Sequence, residues 1–530
     1  MPQASFIARP LAALGLCSAL ICSCSGKSDG SPGAGGSGAR GGANVAGGSS
    51  GDLGGSAGAA AGGPSAGGSS GMTGIAGAAG TTGAAGTASA TPSQVTVLSR
   101  FPAPAASVCA DAPLRLTFSA PVTVGAAGKI QVFNTAAPDT AVASIDISAT
   151  IFHNVLEARQ FFNVRPVFIE GNDAVIYLTN GAMSSPGSYF VTVDAGVFVD
   201  ATQNPLPAIS GPDAWQFSTV APAPADPTQL TVQREGAGDF CTVQGAVDFV
   251  SAANTTPTTI TIKNGTYHEI VYIPTKHHLT FHGEDRKQAI IAYPNNDALE
   301  QKLGTGFRAT IEAEGSNNLT FENLTVHNTT PQGGSQAEAV RIEPGDQAIL
   351  RDSDFVSTQD TLLLSGRAYV TNSYVEGNVD YIWGKGTAYF EKSEIKTVNR
   401  AGYLVQSRNA ANYGYVFVDS TFTTDGKANG TYLARIEGDR FPNSNVAYVN
   451  CKFDSFIAPK GWLITNSMAA TLDGLDLSNL KFWEYQSTDL AGAPLDVSMR
   501  DPHSKQLVDT EATTLRDRTT VLAGWDPTLP

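Results

Sequence analysis

Positive charge is scarce in this 530-residue chain. Lys and Arg number 33 against 48 Asp and Glu, for a net charge of −15. That balance argues against nucleic acid as a partner. Long apolar runs are missing too. The stretch from Leu11 to Ile21 falls short of the roughly 20 residues that a membrane-crossing helix needs. Cysteine is sparse. Cys17, Cys22 and Cys24 fall within the first 24 residues, which leaves Cys109, Cys241 and Cys451 for the rest. Three is an odd number and no pair is close, so spacing assigns no disulfide even where the compartment permits one. No residue cluster has metal-ligand spacing, and nothing calls for a metal or another cofactor. Charged residues make up only 15% of the chain while Gly reaches 56, so part of it is compositionally biased.

The bias sits at the beginning. Residues 1–24 read as a secretory signal, with Arg9 as its positive end and Ile21-Cys22-Ser23-Cys24 as its close. This close resembles a bacterial lipoprotein processing box. Cys24 is the lipidation candidate, because small Ser23 precedes it while Cys17 and Cys22 follow bulky Leu16 and Ile21. The implied address is export, as a cell-surface or outer-membrane lipoprotein or an extracellular protein, with a lipid anchor as the membrane contact. Residues 25–91 are almost wholly Gly, Ala, Ser and Thr. They cannot bury enough surface to offset ordering entropy, and a flexible tether is expected. Over 92–222 the pattern changes to short alternating runs between turn residues, such as Leu114-Arg115-Leu116-Thr117-Phe118 and Tyr189-Phe190-Val191-Thr192-Val193. This predicts a small antiparallel sandwich. It resembles bacterial Ig-like domains and carries no catalytic constellation, so a spacer or a weak carbohydrate binder is expected, with the spacer preferred.

A Pro-rich linker at 223–228 leads into a last domain over 229–528. Val243, Ala246, Val247 and Val250 recur at helical spacing and predict one helix, placed to cover the first coil of a repeating domain. Beyond it the chain repeats. Segments beginning at Ala348, Ala368 and Ala388 share one pattern and start 20 residues apart. A period in the twenties in a strand-rich chain predicts a solenoid with one coil per repeat. Phe321, Leu350, Val370, Phe390, Phe417 and Val449 are expected to form one apolar core column. Asp360 and Asp380 also lie 20 apart, each ten residues past its own apolar anchor. Equal offsets place them in adjacent coils, about 4.8 Å apart in the stacking direction. Single aspartates usually cap turns. Two at equal offsets, in the apolar contexts Asp360-Thr361-Leu362 and Val379-Asp380-Tyr381-Ile382-Trp383, point to a site where one carboxylate perturbs the other.

These residues carry a family resemblance. Gln359-Asp360-Thr361-Leu362 and Gly377-Asn378-Val379-Asp380-Tyr381-Ile382-Trp383-Gly384 resemble the signatures of pectin methylesterases, and weaker matches continue through 229–528. The resemblance implies a right-handed parallel β-helix, so that the chain is all-β with a β-helix after an Ig-like sandwich. It implies methyl-esterified pectin (homogalacturonan) as substrate, with Asp380 as nucleophile and Asp360 as general acid and base. Gln336 and Gln359 would hold the oxyanion. Arg435, in Leu433-Ala434-Arg435, would keep Asp380 ionised. Tyr381, Trp383 and Trp462 would offer aromatic platforms to sugar rings. His268 and Glu269 are read as structural.

The chain departs from the family where Ala434, Ile436 and Glu437 stand around Arg435 in place of Gly, Pro and Trp. Glu437 is expected to alter the preference for anionic, de-esterified substrate. Two rival functions compete with esterase chemistry. A β-helix lyase or galacturonan hydrolase would need other chemistry, in the lyase a calcium-binding carboxylate cluster. A non-catalytic or altered-specificity carbohydrate-binding protein would not need both aspartates together with Gln336, Gln359 and Arg435. Metabolic labelling with a radioactive fatty acid is expected to mark the full-length chain but not a Cys24→Ala variant. Equal labelling of both would contradict the lipid anchor.

Overall fold

Residues 93–157, 160–300, 306–410 and 413–528 are described by the computed structural model. Cys24 and the tether lie outside them. From Gln229 onward each coil supplies strands to three parallel sheets of eleven, nine and eight strands, and the coils wind as a right-handed parallel β-helix. The register follows the sequence period, with Ala348, Ala368 and Ala388 side by side and Leu350, Val370 and Phe390 side by side. Between the first and second sheets the chain turns on a single residue in the left-handed region. In successive coils this residue is Asn323, Asp352, Asn372, Lys392, Asp419 and Asn450, with φ between 48° and 54°. Asn and Asp tolerate that conformation better than other residues with a Cβ, which explains their dominance in the column.

The next residue points inward, and after Asp352, Asn372, Lys392 and Asp419 it is a serine. Ser373 Oγ accepts from Ser353 N at 3.3 Å, Ser393 Oγ from Ser373 N at 3.3 Å, and Ser420 Oγ from Ser393 N at 3.2 Å. The ladder satisfies backbone groups that a tight turn leaves without strand partners. Cys451 takes the following position, with its thiol against the carbonyls of Phe417 and Val449. This buried free cysteine is therefore a member of the ladder, and burial pushes its thiol up to about 12.

The core column runs through Phe321, Leu350, Val370, Phe390 and Phe417. It continues to Tyr448 and not to the expected Val449. The strand Asn445–Val449 enters one residue earlier than the period suggests, and a one-residue slip exchanges faces. Val449 packs instead with Leu515 and Val521 of two C-terminal helices, Asp509–Arg516 and Arg518–Val521, and with Leu522, which caps the second.

The predicted helix forms over Val243–Phe249, with Thr242 as its N-cap. Glu269 receives the amides of Val243 at 2.8 Å and Gln244 at 2.9 Å, so its carboxylate serves the helix N-terminus. His268 Nε2 lies 2.5 Å from Glu170.

Two mainly antiparallel sheets precede the coils. One holds Val97–Phe101, Leu114–Phe118, Asp173–Ile176 and Val167–Glu170. The other holds Ser107–Cys109, Gln216–Val220, Gly187–Val193, Lys129–Asn134 and Ala137–Asp146. Their inner faces share one core that includes Leu116, Phe118, Val132, Val191 and Phe217. This unit is docked on the first coils by more than the linker. Arg115 forks onto Glu235, Arg234 reaches Glu170, and Asp111 accepts from Cys241 N, Thr242 N and Thr242 Oγ1. A disulfide between Cys109 and Cys241 closes the same seam across 132 residues. Cross-linking so distant a pair restricts the unfolded chain strongly. The double variant Cys109→Ser, Cys241→Ser is expected to lose about 2–4 kcal/mol of stability in a denaturant melt. An unchanged midpoint would contradict the clamp.

Candidate active site

The third sheet of the helix carries one outward column across consecutive coils. Arg341, Leu363, Trp383 and Gln406 are neighbours in it, and Arg435 and Leu463 continue it. The two aspartates lie at its margin. Gln359 and Val379 form a parallel bridge, which sets Asp360 beside Asp380. Both take left-handed backbone angles, φ 66° and 48°. That conformation is uncommon for a residue with a side chain and gathers at functional sites. Both side chains are nearly covered, at 9% and 6% exposure.

An arginine answers each carboxylate. Arg435 Nε donates to Asp380 Oδ1 at 2.8 Å and to Oδ2 at 3.0 Å, and its Nη2 also bonds Oδ2. Arg308 Nη2 donates to Asp360 Oδ2 at 2.8 Å. Arg308 is shared with the fully buried Glu338, which takes its Nε and Nη2 at 3.0 to 3.1 Å. Burial raises the Asp360 carboxyl well above its ordinary value, and the nearby charges of Glu338 and Asp380 push the same way against Arg308 and Arg408. Burial also raises Asp380, but there the Arg435 fork opposes it directly. A bidentate guanidinium is a strong partner for a carboxylate anion. The pair is thus unequal by construction, with charge favoured on Asp380 and a proton on Asp360.

Gln336 and Gln359 both precede the pair in sequence, Gln359 directly before Asp360, and are only partly buried. Ser335 Oγ donates to Gln336 Oε1 at 3.1 Å, and Ala337 N donates to the Gln359 carbonyl at 3.2 Å. Among the described residues neither carboxamide N–H group has an acceptor. Glu437 also reaches the site, 3.7 Å from Arg435.

The expected aromatic platforms divide. Trp383 belongs to the outward column, with the Arg408 guanidinium 4.7 Å and the Arg308 guanidinium 5.7 Å from its ring centroid. Tyr381 is instead in the core, its hydroxyl on Thr397 Oγ1 at 2.8 Å. The strand register is irregular between Val379 and Ile382, and this bulge turns Asp380 outward and its neighbour Tyr381 inward. Trp462 is fully buried as well. It sits beside Ala434 in the inward column and stacks on Phe482, with ring centroids 4.6 Å apart. Neither ring is open to a sugar. Three residues at the site had no place in the reading of the sequence: Arg308, Glu338 and Arg408. Glu338 gives the one available signal, a charge between Ala337 and Ala339 just before the strand Val340–Ile342.

The pectinesterase family profile matches residues 229–500, half of the chain. The chain belongs to the pectinesterase family. Pectinesterase 31 of Arabidopsis thaliana is 30% identical over 295 residues, spanning 53% of this chain and 89% of that relative. Probable pectinesterase 8 of the same plant is 30% identical over 315 residues, spanning 56% and 76%. Among solved structures, a pectin methylesterase from carrot aligns with a TM-score of 0.50 at 24% identity, covering 58% of this chain and 98% of the carrot protein. That likeness bears on the fold of the pectinesterase domain.

The Arg435 fork has a consequence for stability. Arg435→Leu in the pectinesterase domain strands a buried carboxylate and is expected to cost about 3–5 kcal/mol near neutral pH. The folded-state pKa of Asp380 is already raised, and the variant raises it further. The extra loss therefore grows as pH rises through the carboxylate range and shrinks in acid, where Asp380 is neutral. Denaturant melts at acid and neutral pH read this directly. A loss independent of pH would contradict the ion pair.

Proposed function

We propose that this protein hydrolyses the methyl esters of galacturonate units in pectin, with Asp380 as nucleophile and Asp360 as general acid and base. The observation that carries the reading is the unequal carboxylate pair, one held by an arginine fork and the other buried toward its neutral form, in a chain of this family. An Asp380 oxygen attacks the C6 carbonyl carbon of a methylated galacturonate. The carbonyl π electrons move onto its oxygen, where the Gln336 and Gln359 amide N–H groups stabilise the charge without quenching a neighbouring carboxylate. As the tetrahedral centre collapses, the bond to the methoxy oxygen breaks. That oxygen takes the Asp360 proton and leaves as methanol, and an acyl-enzyme anhydride remains on Asp380. Asp360, now ionised, takes a proton from water. The resulting hydroxide attacks the acyl carbon, which frees the Asp380 carboxylate and the de-esterified unit.

Trp383 is the aromatic retained for sugar contact, and Glu437 beside Arg435 disfavours an anionic unit in its subsite. The sandwich serves as a spacer behind a lipid anchor at Cys24. Methanol release from methylated pectin, without chain cleavage and without loss on chelation, is the expected assay result. Asp380→Asn should abolish turnover. Asp360→Asn should lower it by about 10²–10⁴-fold, with both variants folded. Unsaturated uronide products, or wild-type methanol release from folded Asp380→Asn, would overturn the reading.

A further inference from the structure

We propose that Arg308, neutralised and held by Glu338, is the positioning residue that fixes which oxygen of Asp360 carries the transferable proton. The inference rests on Asp360 being the acid and base of the reaction, and it goes beyond that role to the device that prepares it.

The geometry is specific. Arg308 is a mostly buried guanidinium among three carboxylates. It holds Glu338 through Nε and Nη2, Asp360 Oδ2 through Nη2 at 2.8 Å, and Asp297 Oδ1 more loosely at 3.4 Å. Glu338 has no exposed side-chain surface and Arg308 only 17%. An N–H donor on Oδ2 occupies that oxygen as an acceptor, so the acid proton of Asp360 belongs on Oδ1. When the methoxy oxygen takes the Oδ1 proton, the O–H bonding pair stays on Asp360 and its charge spreads to Oδ2. The Arg308 bond then becomes charge-assisted on both sides and strengthens as the reaction proceeds.

Arg308 alone would spoil the acid. A cation this close favours the ionised carboxylate and would remove the proton before substrate arrives. Glu338 supplies the compensating charge from one coil away. The charged groups that act on Asp360 are Arg308, Glu338, Asp380 and Arg408, and Arg435 is occupied by Asp380. Glu338 and Arg308 thus form a neutral unit that orients Asp360 without ionising it. A purely structural ion pair would also resist burial costs, so the test must read protonation and not stability alone.

The experiment is the pH profile of kcat/KM for methanol release, with thermal melts on each variant. Glu338→Gln keeps the shape and an acceptor for Arg308 but leaves the cation uncompensated. The alkaline limb, which reports the acid in the free enzyme, should move to lower pH by about one unit or more. Arg308→Gln removes the cation that favours ionised Asp360, so the limb should move upward, and kcat should fall at least tenfold. The double variant should bring the limb back toward its wild-type position. Opposite displacements by the two single variants support the proposal. A folded Glu338→Gln variant with the wild-type limb overturns it, and so do displacements in the same direction. Should Arg308→Gln fail to fold, the near-isosteric Glu338→Gln decides alone. Failure of the underlying reading is separable: there Asp360→Asn keeps its activity, whereas here Asp360→Asn is impaired and the limb stays fixed in Glu338→Gln.

Discussion

In-register stacking of parallel strands governs this molecule. Every coil hydrogen-bonds to the coils before and after it, so equal offsets along the chain become neighbouring positions in space. The same constraint makes a phenylalanine and aliphatic column inside, a serine ladder at the turn, and an aspartate pair outside. Leu350, Val370 and Phe390 are adjacent for the reason that Asp360 and Asp380 are adjacent. The site is therefore built on rigid elements, and its two carboxylates are held together by a backbone ladder that does not depend on their mutual attraction. Like charges so close would repel if both ionised, and the fold does not let them separate.

What divides the pair is the arginine given to each. Arg435 addresses both oxygens of Asp380 and opposes the effect of burial there. Arg308 addresses one oxygen of Asp360 while Glu338 cancels its charge. A single-donor contact from a neutralised cation orients a carboxylic acid; a two-oxygen fork from an arginine holds an anion. Glu437 beside Arg435 tempers that fork from the other side. The resulting cluster of opposite charges is largely self-contained, which suits a substrate that is an uncharged ester at the reacting unit and an acid after it.

Much of this was legible because the period is regular where it matters. Three repeats of 20 residues fixed the adjacency of Asp360 and Asp380, and Arg435 could be placed only through the family's motif. The misreadings have local causes. A strand bulge beside Asp380 turned Tyr381 into the core, and the inward column beside Ala434 claimed Trp462. One residue fewer before the Asn445–Val449 strand exchanged Val449 for Tyr448. Arg308 and Glu338 stayed hidden because they lie 30 residues apart in coils of unequal length, where no repeat predicts a meeting. The seam between the sandwich and the first coils was equally silent, since Cys109 and Cys241 are joined across two separately folded patterns.

The central claim is that the two carboxylates divide the work, with the covalent bond formed on Asp380. Rapid acid quench of wild-type protein during turnover of a short methylated oligogalacturonide, followed by hydroxylamine and peptide mass mapping, tests it most directly. Hydroxylamine attack on the Asp380 side of the mixed anhydride leaves a hydroxamate on that residue. The account predicts this modification on the peptide containing Asp380, formed in step with a burst of methanol. Modification of Asp360 instead, or a methanol burst with no modified aspartate, would contradict it.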